Sequence, residues 1–222
     1  MTQTDATPQS VPDAPRRPTA AAPRRRWGRI VVMVIGIPLL VLGAGYAAYQ
    51  VFKPHIYHGT VMQAPTRAPD MEGLVFADGT AVDMGDFRGD VVLIYFGYTH
   101  CPDVCPTTLN KAARALEQVG DDDRVHVMMV SVDPARDDLD SLGQYVTSFG
   151  EGFLGATGEM SDIERVATEY GVFFARGDDT DGGNDVDHTA SLLGIDTDGR
   201  LRIVWPTTVE VDDLAADLDE LL

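Results

Sequence analysis

The chain has 222 residues, 44% of them hydrophobic and 23% charged, enough for one packed domain with extensions and short for two large ones. Seventeen Lys and Arg face thirty-five Asp and Glu, and residues 1–53 hold seven of the bases and two of the acids, so the remainder carries ten against thirty-three. Such an acidic body repels a phosphate backbone and argues against direct nucleic-acid binding; it suits cations or a basic partner, although solubility alone also accounts for it.

Residues 1–29 form a basic head, and Met1–Pro23, rich in Pro, Ala and Thr, reads as a disordered tail. Ile30–Phe52 is a run of 23 residues without a charge, longer than the ~20 that a helix needs to cross a bilayer. Arg16, Arg17, Arg24, Arg25, Arg26 and Arg29 precede it and only Lys53 follows closely. The positive-inside bias then keeps the N-terminus cytoplasmic and sends the rest to the periplasm or cell exterior. A cleaved signal peptide is the competing reading, which the length of the run opposes. Lys53–Asp70, with three prolines, is expected to be an extended linker. His55 and His58 within it are candidates for an accessory metal site.

A globular pattern starts at Met71. Leu74–Phe76 and Thr80–Val82 flank Asp78-Gly79, a hairpin signal. Val91–Gly97 is a continuous apolar run, as expected of a central strand buried on both faces. Thr107–Val119 has helical spacing between Pro106 and Gly120. A second buried strand follows at Val125–Val132, then helices at Leu139–Phe149 and Ser161–Tyr170, the latter with Ser161 and Glu164 as a capping box. Ser191–Ile195 and Leu201–Trp205 form a second hairpin, and Val211–Leu222 a last helix. This order predicts an α/β, thioredoxin-like domain over residues 71–222, a mixed sheet with flanking helices and an N-terminal hairpin.

Cys101 and Cys105 fall where the central strand gives way to its helix. Cysteines four apart on a helical turn share a face, and a helix N-terminus favours thiolate over thiol. The pair suits a disulfide or a soft metal. A loop this short gains little from a structural staple, which favours a working site. His188, just before the second hairpin, sits where thioredoxin-like folds face the helix N-terminus. Two thiolates and an imidazole make a soft, low-coordinate donor set that suits Cu(I) better than structural zinc.

The unbroken string from Tyr95 to Leu109, Tyr-Phe-Gly-Tyr-Thr-His-Cys-Pro-Asp-Val-Cys-Pro-Thr-Thr-Leu, closely resembles the Sco/SenC family of copper-binding proteins. Asp86–Gly89, Ser131–Pro134 with Arg136 and Asp137, and Val186–His188 add to the likeness. The resemblance implies a thioredoxin-like fold, copper ligation by Cys101, Cys105 and His188, and assembly of the binuclear copper centre of cytochrome c oxidase subunit II. Other copper chaperones or thiol-disulfide reductases are then expected partners, and Asp187 would tune the ligands. Asn184, Asp185 and Thr189 depart from the family pattern around the histidine.

Three functions use these residues: a Cu(I) metallochaperone, with Cu(II) a further possible cargo; a thiol-disulfide oxidoreductase with Cys101 as attacking thiol; and a redox or copper sensor. His100 reads as a structural or gating residue, and His126, Met128 and Met129 as sheet residues. Asp133 and Arg136 read as fixing the loop near the site.

Overall fold

The computed structural model describes residues 28, 30–52, 55–120, 122–176, 186–188 and 191–222. The expected disordered tail and the Gly- and Asp-rich stretch of residues 177–185 lie outside them. The chain forms two compact units, residues 1–54 and 55–222.

In the first unit a π-helical turn, Val32–Gly36, leads into helix α1, Ile37–Phe52. The turn precedes Pro38, which has no amide to donate and whose ring crowds the carbonyl four residues back. Val32–Gln50 is a helix of 19 residues, with a mean hydropathy of 1.9 and no part buried, long and apolar enough to cross a bilayer.

The second unit contains strands β1 (Thr60–Val61), β2 (Leu74–Phe76), β3 (Val91–Gly97), β4 (Val125–Ser131), β5 (Phe153–Gly158), β6 (Phe174–Arg176), β7 (Val186–His188), β8 (Ser191–Ile195) and β9 (Leu201–Pro206). Its helices are α2 (Val104–Val119), α3 (Leu139–Thr147), α4 (Met160–Glu169) and α5 (Val211–Leu221). Seven strands form one mixed sheet in the order β1-β9-β8-β3-β4-β5-β2, and β6 and β7 pair separately. The fold is thioredoxin-like. All seven residues of β3 are buried, between β4 running parallel and β8 antiparallel. Val92, Leu93 and Ile94 are wholly inaccessible, each burial contributing about 1.5–3 kcal/mol over exposure.

Several elements differ from the expected ones. From His55 onward the supposed linker belongs to the globular unit: β1 pairs with β9, Arg67 bridges Arg200, and Ala68 is buried. The expected hairpin at Asp78-Gly79 forms, with Gly79 at φ 84°. Its second arm makes one bridge, Val75 to Ala81, while β2 joins the sheet edge through β5. Strand β5 was not expected, because Phe-Leu-Gly-Ala-Thr-Gly has few strand-forming side chains. Its glycine is a packing device: a Cβ on Gly155 would lie 2.7 Å from Leu142 Cγ on α3. Helix α4 starts one residue earlier than expected, with Glu159 at the N-cap, so Ser161 is already helical and forms no capping box.

Candidate functional site

Strand β3 delivers the chain to Gly97, and residues 98–103 turn it into α2. The helix begins at Val104, before the expected Thr107, because Pro106 falls in the first turn, where an amide has no intrahelical acceptor. Cys105 is thus helical and Cys101 precedes the helix, so a tight loop brings the two together rather than the helical spacing expected from the sequence. The Cys101 amide donates to the Tyr98 carbonyl at 3.3 Å. The Cys105 amide donates to Cys101 Sγ at 3.4 Å, an orphan donor of the helix N-terminus turned onto sulfur.

Both cysteines are buried free thiols, and their surroundings push them apart. Burial works against the Cys101 thiolate, but it is outweighed by hydrogen bonds from the Cys105 thiol, the amides of Cys105 and Asp103, and Tyr98, so its pKa falls below the ordinary value. Cys105 is pushed up to about 12, by burial first and by its hydrogen bond with Cys101 second. The Tyr95 hydroxyl donates to Cys105 Sγ at 3.5 Å. Gly97 leaves the room: a Cβ there would lie 3.1 Å from Cys105 Sγ and 2.7 Å from Tyr95 Cε1.

The loop is pinned from below by Asp137, whose side chain is fully buried. One oxygen accepts from Ser131 Oγ at 2.6 Å and the Thr99 amide at 2.9 Å, and the other from Thr99 Oγ1 at 2.5 Å. His100 Nδ1 lies 3.3 Å from that second oxygen. The ring is directed at Asp137, in keeping with the structural role expected of it. Arg136 pairs with buried Asp133 and sets its guanidinium over the Tyr98 ring, 5.8 Å from the centroid, the loop-fixing role expected of that pair.

His188 ends β7, with its backbone opposite Phe174, and Asp187 lies opposite Ala175. Strand β8 runs antiparallel to β3 with Leu192 beside Tyr95. The chain therefore enters β8 at the end of the sheet from which β3 departs towards Cys101, and His188 lies three residues upstream of that entry. His126 faces Asp90 at 3.1 Å and the edge of Phe87, and Met128 and Met129 are fully buried in β4.

Sequence reasoning overlooked two residues. Asp137 was visible only as part of the family likeness, with nothing to say that it holds the loop. Tyr145 on α3 gave no signal. Its hydroxyl is buried without a hydrogen-bond partner among the described residues. Its pKa is raised by burial first, then by Cys105, Cys101 and Asp137, which places the phenol in the field of the dithiol.

The SCO1/SenC family model matches residues 72–222. The chain belongs to the SCO1/SenC family. It is 31% identical over 178 residues to the human mitochondrial protein SCO2 homolog, covering 77% of this chain and 67% of that relative. The structure of Bradyrhizobium japonicum ScoI with copper bound is similar at 36% identity and a TM-score of 0.61, over 72% of this chain and 98% of that one. Apo Sco1 of Thermus thermophilus is similar at 33% identity and a TM-score of 0.67, over 77% and 99%.

Proposed function

We propose that this SCO1/SenC chain is a membrane-anchored copper carrier serving cytochrome c oxidase assembly. Cu(I) is its cargo, taken by the sulfurs of Cys101 and Cys105 and the imidazole of His188, and the binuclear centre of subunit II is its recipient. The observation that carries the reading is the dithiol itself: two buried free thiols at one strand end, one leaning to the thiolate and the other within reach of the same point. A similar protein at 36% identity has been solved with copper bound. Helix Val32–Gln50 supplies the anchor, and the arginines before it put the domain outside the cytoplasm.

Chemically, the Cys101 thiolate is the first donor. Capture of the metal displaces the Cys105 proton, which burial otherwise retains, because a thiol deprotonates on coordination. A soft ion held by few ligands leaves by exchange, as thiolates of the recipient replace those of the carrier one at a time. The test is anaerobic titration of the reduced full-length chain with Cu(I) against a competing chelator, beside Cys101→Ala and His188→Ala. One tightly held copper, with affinity lost in both variants, is the expected result. A wild type that fails to compete overturns the carrier, and a His188→Ala variant that binds as well as wild type overturns the ligand set.

The asymmetry of the thiols favours a second reading, a thiol-disulfide oxidoreductase acting on the same subunit. The Cys101 thiolate attacks a target disulfide, forming a mixed disulfide and releasing one target thiolate. Cys105 gives its proton to that thiolate and attacks Cys101 Sγ, which leaves a Cys101–Cys105 disulfide and a fully reduced target. Failure of the reduced chain to exchange with a disulfide peptide bearing the subunit's cysteine pair would sink it.

A further inference from the structure

Three side chains that share nothing with the dithiol meet beside β9. His55 and His58 lie in the segment entering β1, and Asp217 lies on α5, 162 and 159 residues away. The Asp217 side chain is wholly inaccessible. Its Oδ1 faces His55 Nε2 at 2.8 Å and His58 Nδ1 at 3.1 Å. Its Oδ2 accepts from Trp205 Nε1 at 2.7 Å and from the His58 amide at 2.9 Å. The far side of the His58 ring, Nε2, faces Asp213 Oδ1 at 3.3 Å.

The arrangement has a proton problem. A neutral imidazole carries one N–H, and each ring nitrogen of His58 faces a carboxylate oxygen, Nδ1 that of Asp217 and Nε2 that of Asp213. If a single proton faces Asp213, the bare Nδ1 points at Asp217 Oδ1, lone pair against lone pair, and only a second proton on the ring or a cation relieves the contact. A cation between them turns that conflict into coordination. One donor atom from each of His55, His58 and Asp217 lies within 4.8 Å of the others. An ion at about 2.0–2.2 Å from nitrogen and oxygen donors separates neighbouring donors by roughly 3–3.5 Å, close to the 2.8 and 3.1 Å found here. The supports are also in place. Trp205 and the His58 amide hold the carboxylate through its other oxygen, and Asp213 receives the outer N–H of a ring that would ligate, the partnership that orients metal-bound imidazoles.

We propose that His55, His58 and Asp217 form a second metal site, for a divalent first-row transition ion. Two imidazoles and a carboxylate without sulfur suit Zn(II), Ni(II) or Cu(II) and disfavour Cu(I). Solvent completes the coordination, since the imidazoles are partly exposed. The ion ties the segment that enters the domain to its last helix, and stabilises that junction by mass action.

The test uses the full-length chain in detergent with Cys101→Ser and Cys105→Ser, so that no sulfur competes, titrated calorimetrically with Zn²⁺. One ion per chain is expected, with affinity weakened by at least about tenfold in both His55→Gln and His58→Gln. Asp217→Asn, which keeps an oxygen for Trp205, is the further variant, and circular dichroism checks each fold. No saturable Zn²⁺ binding overturns the proposal and leaves protonated His–Asp pairs in its place. Undiminished affinity in both histidine variants overturns it as well.

Discussion

Asp137 and Asp217 are two buried carboxylates with opposite prospects. Asp137 is surrounded mainly by donors that do not give up their protons at neutral pH, a backbone amide and two hydroxyls. Such groups hold a loop, and a cation gains nothing by displacing them. Asp217 also accepts from an amide and an indole, but its Oδ1 faces two imidazole nitrogens, groups that exchange a proton for a metal. A buried acid is therefore read by its donors: the first builds the frame on which the sulfurs are displayed, and the second is itself a candidate ligand.

If Asp137 is frame, the sulfurs it displays keep separate characters. At neutral pH Cys101 is expected to be alkylated at least about a hundredfold faster than Cys105, the gap being tempered because a more acidic thiol is a weaker nucleophile. Timed iodoacetamide labelling read by peptide mass spectrometry measures the ratio. Equal rates would mean that the two thiols share one environment. Removing the frame comes next. Asp137→Ala leaves the buried Ser131 hydroxyl and the half-buried Thr99 donors without their acceptor and is expected to cost about 3 kcal/mol in urea unfolding. Added Zn²⁺ restores none of it, whereas the metal proposal makes stability at the Asp217 cluster zinc-dependent. Gly97→Ala probes the same corner by volume. The new methyl meets Cys105 Sγ and the Tyr95 ring, and the expected cost is about 1–3 kcal/mol, with the thiol rate ratio altered because the sulfur must move.

The sequence disclosed these two regions unequally. The dithiol corner lies on one continuous stretch, where an apolar run, two cysteines and a helical period state the strand, the turn and the helix in order. The central strands and the four longer helices of the domain were legible for the same reason, since their periods are local. Strand β5 was not, because Gly155, which admits Leu142 of α3, and Gly158, which lies against Gly73 and Leu74, suppress the strand signal. The joining of residues 55–70 to the domain was hidden by prolines that read as linker, and it depends on pairing with β9, over 140 residues away. His55 and His58 drew notice as a pair, but their third member, Asp217, sits on an acidic helix among Asp212, Asp213, Asp219 and Glu220. Nothing in composition separates a buried aspartate from its solvated neighbours; the packing of Trp205 does.

The smallest effect sets Asp137 against the residue beside it. Asp138 is exposed and caps α3, accepting from the Ser141 amide at 2.7 Å. Hydrogen bonds from the Ser141 amide and side chain, in that order, lower its pKa. A carboxylate depressed in the folded state binds its proton more readily when unfolded. Its stabilising contribution is therefore complete above the unfolded value of about 3.9 and disappears as pH falls through the lower folded value. Asp138→Asn keeps an acceptor for the Ser141 amide but removes the charge. The variant is expected to be slightly less stable than wild type at neutral pH and to converge on it in acid, as measured by thermal midpoints across that range. A gap that persists below the folded pKa would assign the cap's contribution to geometry rather than charge, and would bring this exposed aspartate closer in kind to its buried neighbour.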